Sequence, residues 1–386
     1  MKKPLLITII VLAVLLILPA VSFLRWAFQE KKPVNVVILD KTVPTLERLG
    51  HRSFVYAMTN DRFVKKGKGG SLSASKDYFG FVPMRPVREK QFRKRDFRLT
   101  ELIDLAENND ALYYTDTYGV FFNDWYQGLK KARRSRKLYG GLNNNDYLLM
   151  SEMKKREKLV LVEYNTFDYP TADLERFKTE ELLGITSTKW MGQYYPSLDT
   201  VSAQGVPNWM PALYRKQFQQ PWTFSKPGVV LLKENSIIVL EEGKHLTSPM
   251  PVITTASPYT EKYNLPQLVT FANSFDIIDP GKNTIVSSFK LNTTPEGDTL
   301  LLGNDLTSVF PAVVQDGVTG RTFYFSGDFA NNKIPFWTSR FMNMDKKAKT
   351  FFYSDNVNDS KRFFWVYYKP LVTGIFSEYQ ATLKGK

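Results

Sequence analysis

The chain predicts an α/β fold: a mostly parallel sheet with helices on both faces, elaborated by antiparallel β-strands in the C-terminal half and preceded by one N-terminal transmembrane helix. Three observations predict it. The runs Val34-Asn35-Val36-Val37-Ile38-Leu39-Asp40, Ala111-Leu112-Tyr113-Tyr114-Thr115-Asp116 and Leu159-Val160-Leu161-Val162-Glu163-Tyr164-Asn165 are largely apolar, as strands covered on both faces are. Segments of helical spacing separate them, which implies right-handed crossovers and parallel pairing. Short β-like runs punctuated by turn residues fill the later half.

In chain order, Pro4 to Leu24 is a run of uncharged, mostly apolar residues behind Lys2 and Lys3. At 1.5 Å per residue it can cross a hydrocarbon core of roughly 30 Å. Ala20-Val21-Ser22 runs directly into Phe23, Leu24 and Trp26, unlike a small-residue cleavage site, so residues 1–28 read as an uncleaved anchor with Arg25 and Trp26 at the interface. Lys2 and Lys3 before the run face Arg25, Lys31 and Lys32 after it, and the charge bias leaves orientation open. The position of the segment ahead of a large folded domain favours an extracytoplasmic body. Residues 29–33 are a linker and 34–386 the folded domain, with a β-rich elaboration at about 228–305.

Pro44 to Gly50 reads as a short helix and Ser53 to Met58 as a second strand; Lys65 to Ser75, rich in Gly, Ser and Lys, reads as a mobile loop. Leu99 to Glu107 has helical spacing. Asp146 to Lys158 is a helix capped by Asn145 or Asp146, with basic residues near its end. Thr171 to Leu183 is a helix closed by Gly184, and Thr186 to Pro196 an aromatic loop or strand pair. Val229 to Val239, Pro251 to Thr255, Leu268 to Phe275, Thr284 to Leu291 and Thr299 to Gly303 are β-like, and Arg321 to Asp328 returns to the main sheet. Ser360 to Tyr379 carries an aromatic helical face, which Pro370 would kink or restart.

Composition narrows the chemistry. The 386 residues contain no Cys and only His51 and His245, which excludes disulfides, thiolate sites, a Cys nucleophile and a His-rich metal site. No cofactor is implied. The net charge of +14 is uneven: residues 62–98 hold twelve Lys and Arg against Asp77, Glu89 and Asp96, and Lys130 to Lys137 is a second basic run. These runs read first as solvated loops; anionic lipid or acidic polysaccharide competes with nucleic acid as a partner, which the membrane anchor disfavours.

The order of strands and helices resembles the class I glutamine amidotransferase-like superfamily, a flavodoxin-like fold with non-amidotransferase branches. Val34 to Asp40, Ala111 to Asp116, the helix leading into Val160 to Asn165, Phe310-Pro311-Ala312-Val313-Val314 and Gly320 to Asp328 carry the resemblance. It implies a Cys nucleophile at the strand-to-helix turn with a His base. Here that turn reads Glu163-Tyr164-Asn165-Thr166-Phe167, and the closing segment lacks His. Glutamine hydrolysis by that route is excluded.

In its place the sequence offers carboxylates and amides. Residues at the C-terminal strand ends of a parallel sheet line a crevice, so Asp40, Asp116 and Glu163 are the candidate catalytic groups, with Asn165, Tyr118, Asn123 and Asp328 as ligand contacts. Asp40 and Asp116 are equally readable as turn caps. Glu163, at the end of a buried strand, needs a partner or a purpose. Gly140 to Asp146 reads as a turn and N-cap ahead of an anion nest, and Trp190, Tyr194, Tyr195, Trp209 and Trp222 as core or as a sugar platform. The leading reading is a noncatalytic binding or assembly component of the cell envelope, with a glycan or envelope-protein partner. The alternative is a hydrolase pairing Glu163 with Asp40 or Asp116.

Overall fold

Strand β1, Val36–Asp40, is buried at all five positions because it lies inside a ten-stranded sheet. The computed structural model describes residues 17–67, 69–127, 135–202, 205–347, 349–356 and 358–384. After β1 come the helix Leu49–Asn60, β2 (Phe79–Pro83) and β3 (Phe92–Arg95). The helix Leu102–Asn108, β4 (Ala111–Asp116), the helix Asn144–Lys155, β5 (Leu159–Glu163) and the helix Asp173–Leu183 complete the first half. Strands β6 (Thr186–Tyr195), β7 (Gly228–Lys233), β8 (Ser236–Glu241), β9 (Leu246–Thr255), β10 (Leu268–Thr270), β11 (Ser274–Asp279), β12 (Thr284–Thr293), β13 (Val309–Gln315) and β14 (Thr322–Phe325) follow.

The large sheet runs β10-β9-β12-β13-β14-β5-β4-β1-β2-β3. It is mixed rather than mostly parallel: β14, β5, β4, β1 and β2 form four parallel ladders, and antiparallel strands extend both edges. Numbered in their own chain order, the parallel strands stand 2-1-3-4-5, so the order reverses between β1 and β4. Gly80 lets β2 join this edge. Its φ is +124°, and a Cβ there would stand 1.8 Å from the Asp40 carbonyl oxygen.

Alternation sorts the two faces. Val36, Ile38, Tyr113, Leu161 and Phe325 pack with Phe54, Tyr56 and the C-terminal aromatics, while Val37, Leu39, Tyr114, Val162 and Tyr324 pack with Leu149, Met150 and Met153. A second, antiparallel sheet, β8-β7-β6-β11, stands beside the first. The β-rich part therefore begins at Thr186 and ends at Gln315, wider than the expected 228–305.

Local readings fail where burial hides periodicity. Ser53 to Met58 is helical, because every residue from Ser53 to Asn60 is buried and an all-buried helix reads like a strand. Thr299 to Gly303 falls largely in the helix Pro295–Leu302, which Thr294 caps by accepting from the Gly297 N–H, with Pro295 in its first turn. The run Val229 to Val239 is a hairpin turning at Glu234, and Leu268 to Phe275 divides between the two sheets. Asn143, rather than Asn145 or Asp146, caps the helix Asn144–Lys155. Pro370 does not break the C-terminal helix. A wide π turn, Phe364–Tyr368, leads into Lys369–Lys384 and accommodates the missing N–H.

Most of the expected membrane span falls on residues 1–16, outside the described residues. Among the described residues no helix is long and apolar enough to cross a membrane. Residues 17–28 are helical and docked on the body. Ser22 exchanges hydrogen bonds with the Met342 backbone, and Trp26 is 7% exposed, not interfacial: its indole donates to the Thr59 carbonyl at 2.9 Å and the Arg62 guanidinium covers its ring. The expected linker is also ordered, since Lys32–Pro33 pairs with Phe63–Val64. Basic residues of 62–98 serve the fold: Lys66 pairs with Asp110, and Arg95 covers Phe79 and bonds the Lys76 and Tyr78 carbonyls. Residues 130–134 of the second basic run lie outside the described residues.

Candidate functional site

Asp40 and Asp116 are register partners at the carboxyl ends of β1 and β4, after a bulge that gives β4 one extra residue, Thr115. Thr115 turns its hydroxyl onto the Gly50 carbonyl, where the helix Leu49–Asn60 begins. Asp40 is fully buried. Its Oδ1 accepts the Thr42 N–H at 3.0 Å, and its Oδ2 lies 2.6 Å from His51 Nδ1. His51 Nε2 faces the Ala74 carbonyl at 2.7 Å, so both ring nitrogens meet oxygen atoms. Gly50 makes the approach possible, since a Cβ there would sit 2.8 Å from Asp40 Oδ2.

Asp116 is half-buried and its Oδ1 accepts the Tyr118 N–H at 2.7 Å. Asp40 and Asp116 thus both make the turn-capping bonds the sequence allowed. Burial, the Asp328 and Asp40 charges raise the Asp116 carboxyl well above the usual range, against the Tyr118 N–H and the Thr42 hydroxyl. Asp328, just past β14, is half-buried and pushed up to about 6 by burial, opposed by the Asn331 amide and assisted by Asp40. These shifts place Asp40, Asp116 and Asp328 in one electrostatic neighbourhood.

Glu163 joins them through Asp328, but from inside the core. It is 1% exposed; Tyr113 Oη stands 2.6 Å from its Oε1, and the Ala330 N–H donates to Oε2 at 3.2 Å. Tyr113 is in turn 2.8 Å from the Tyr368 hydroxyl of the π turn. Burial dominates and raises the Glu163 carboxyl well above its ordinary range, with the Asp328 charge adding to the effect and the hydrogen bonds opposing it. Both side chains of this pair are closed off from solvent.

Asn165 adopts φ +66°, a conformation Asn tolerates. Its N–H donates to Asp276 Oδ2 at 2.8 Å and its carbonyl accepts from Thr117, while its side-chain oxygen is buried without a hydrogen-bond partner. Asp276, 1% exposed on β11, also accepts from Tyr324 at 2.7 Å; burial and the neighbouring Asp168 raise its carboxyl. The Tyr118 ring lies tilted against Phe121, with centroids 4.8 Å apart. Asn123 lies further out, in the short helix Phe122–Tyr126, where its N–H donates to the Ser135 hydroxyl.

On the other side of β1, where the strand order reverses, a cavity of about 360 Å³ is lined by Lys41, Lys94, Asp96, Tyr139, Asn143 and Pro170 among others. Lys41, 1% exposed, floors it by donating to Asp146 Oδ2 at 2.5 Å and the Gly141 carbonyl at 2.8 Å. The neighbouring glycine turn is no open anion nest: the N–H groups of Gly141, Leu142, Asn143, Asn145 and Asp146 donate to Thr117, Thr171, Asp146 and Asn143. Trp190 and Tyr195 are buried in the core, while Trp209 is 43% exposed, so the aromatic run forms no common platform.

Among the described residues no three His, Asp or Glu side chains are grouped to hold a metal ion. The sequence brought out Asp40, Asp116, Glu163, Asn165 and Asp328, and the fold gathers them around adjoining strand ends. It missed His51, Lys41, Asp276 and Tyr113. Lys41, an uncommon charge immediately after a buried strand, was the readable signal.

No family model matches the chain, and no curated protein matches it. Among solved structures it is similar to a β-galactosidase from Bacillus circulans sp. alkalophilus, with 8% identity and a TM-score of 0.35 over 77% of this chain and 30% of that one. A cold-adapted β-galactosidase from Rahnella sp. R3 gives 10% and 0.35 over 83% of this chain and 32% of that one. A ThuA-like protein from Bacteroides uniformis gives 8% and 0.35 over 86% of this chain and 97% of that one. The chain spans about a third of the length of the two galactosidases. Likenesses this weak assign neither an activity nor a ligand.

Proposed function

We propose that this chain is a noncatalytic binding component, extracytoplasmic and membrane-anchored, built on a degenerate amidotransferase-like core and recognising a hydroxyl-rich ligand such as a glycan. The parallel order 2-1-3-4-5 is the flavodoxin-like order, which supports that core. The observation that carries the reading is the sealing of Glu163: the strand end where a nucleophile would stand holds a carboxyl 1% exposed and tied to Tyr113 and the Ala330 N–H. A group so enclosed neither attacks a substrate nor exchanges protons with one.

The cavity beside β1 supports the ligand class. Its charged lining is balanced, Lys94 and Lys137 against Asp96 and Glu175, with Lys41 and Asp146 neutralising each other beneath. Neutral polar ligands suit such a lining better than polyanions. Calorimetry against a panel of neutral and acidic oligosaccharides tests it: binding is expected without turnover, weakened at least tenfold by Lys41→Met. Hydrolysis of a glycoside that disappears in Glu163→Gln would overturn the noncatalytic reading.

The half-buried Asp116 and Asp328 favour a second reading, a hydrolase with Asp116, whose carboxyl is held well above the usual range, as the protonated acid and Asp328 as its ionised partner. It requires activity that rises as pH passes about 6, where Asp328 ionises, and that vanishes in Asp328→Asn. Glu163, which the sequence paired with Asp40 or Asp116, is buried and engaged elsewhere, and so is Asp40.

A further inference from the structure

We propose that the rim where the parallel strands begin is a docking surface for a phospholipid bilayer, so that the strand-end crevice opens away from the lipid toward water. The inference rests on the membrane placement proposed above and adds the surface and the orientation. Helix 17–28 buries only Ser22 and Trp26 against the body. Apart from Arg25 its remaining faces are apolar and largely uncovered: Leu18 is 51% exposed, Leu24 50% and Phe28 86%. A helix facing water would put polar residues there.

The body continues the same surface. Val21, Leu24 and Phe28 share a groove of about 560 Å³ with Met342, the Phe23 ring lies 6.1 Å from Phe341, and Phe341 lies 5.9 Å from Trp337, which is 70% exposed. Arg25 lines the groove and Arg340 reaches over the Trp26 ring. Apolar side chains, an exposed Trp and adjacent cations are the chemistry of a membrane interface. The sequence argues for lipid over a protein partner: the uncharged run that begins at Pro4 continues without a break into this helix, up to Leu24.

Topology sets the orientation. The helix Leu49–Asn60 starts beside Asp40 at the strand ends and runs back to the strand starts, where the Thr59 carbonyl accepts the Trp26 indole and the Asn60 amide donates to Ser339 and Phe341. Twelve residues separate the two rims by roughly 18 Å. A ligand therefore reaches the crevice from solution, not as a headgroup in the same membrane.

The absence of Cys makes the test direct. Trp337→Cys and Tyr169→Cys, the latter at a 66% exposed position in the loop after β5, each give the full chain one thiol for an environment-sensitive fluorophore. In vesicles of phosphatidylcholine and phosphatidylglycerol, the probe at 337 is expected to shift blue and to be quenched by brominated lipid several-fold more than the probe at 169. Chains that float with the vesicles but leave 337 as aqueous as 169 overturn the docking surface and leave the membrane placement standing. Chains that do not float overturn both. Protection at 337 that brominated lipid does not quench assigns the surface to a protein partner or a second copy and overturns lipid, and quenching at 169 overturns the orientation.

Discussion

Tyr113 Oη lies 2.6 Å from Glu163 Oε1, a hydrogen bond between adjacent strands that is closed off from water on both sides. The burial that raises the Glu163 carboxyl fixes a pH signature. A carboxyl whose folded pKa lies above its unfolded value binds its proton more tightly in the folded state. Its contribution to stability is complete below the unfolded pKa and is lost as pH rises toward the folded one.

Glu163→Gln is accordingly expected to flatten that decline. The amide oxygen can accept from Ala330 as Glu163 does, and its NH₂ can donate to Tyr113 once the tyrosine hydroxyl turns to Tyr368. Urea midpoints at pH 5 should agree within about 1 kcal/mol between the two proteins, since a polar group of the same shape replaces the acid. At pH 8 the variant should be the more stable; a variant less stable at both values would mean that Glu163 is ionised in the fold.

Asp328→Asn tests the carboxyl neighbourhood. Asp328 is pushed up to about 6, and its charge raises Asp116, Glu163 and Asp276. Asp328 stabilises the fold below its unfolded pKa and loses that contribution as pH rises through about 6. The Asn variant should gain about 1 kcal/mol at pH 7.5 and little or nothing at pH 4.5, read from denaturation at the two values.

His51 and Asp40 form a pair with no solvent contact. Removing one partner leaves the other unmatched, so His51→Leu should cost about 3–5 kcal/mol. The double variant with Asp40→Asn should cost less than the sum of the single changes, and strict additivity in the cycle would show that the pair is not coupled.

Trp26→Ala removes the indole bond to Thr59 and the ring beneath Arg62. The cost should be about 3–5 kcal/mol if the helix and body melt together. Release of helix 17–28 should also expose the Gln29 to Lys32 backbone, so limited proteolysis there should accelerate while the core from Val36 onward stays resistant.

Much of the core and the candidate carboxyls was legible, because strands buried on both faces leave unmistakable runs and end on their polar residues. Val36–Asp40, Ala111–Asp116 and Leu159–Glu163 stand where the sequence put them. Ser53 to Met58 was misread because a helix buried all round keeps no polar face. The antiparallel extension was under-called because strand pairing depends on partners far away in the chain, as with Thr186–Tyr195 pairing with Ser274–Asp279.

The sequence by itself determined what chemistry is absent, through the lack of Cys and the scarcity of His, and which strand ends carry acids. Only the tertiary structure decided how those acids behave. Ionisation depends on solvent access and on charges within a few ångströms, and both are properties of packing: Asp40 meets His51 eleven residues on, whereas Glu163 meets Tyr113 fifty residues away and Ala330 167 residues away. The same holds for Trp26, which its neighbours in sequence place at a membrane and its neighbours in space place under Arg62.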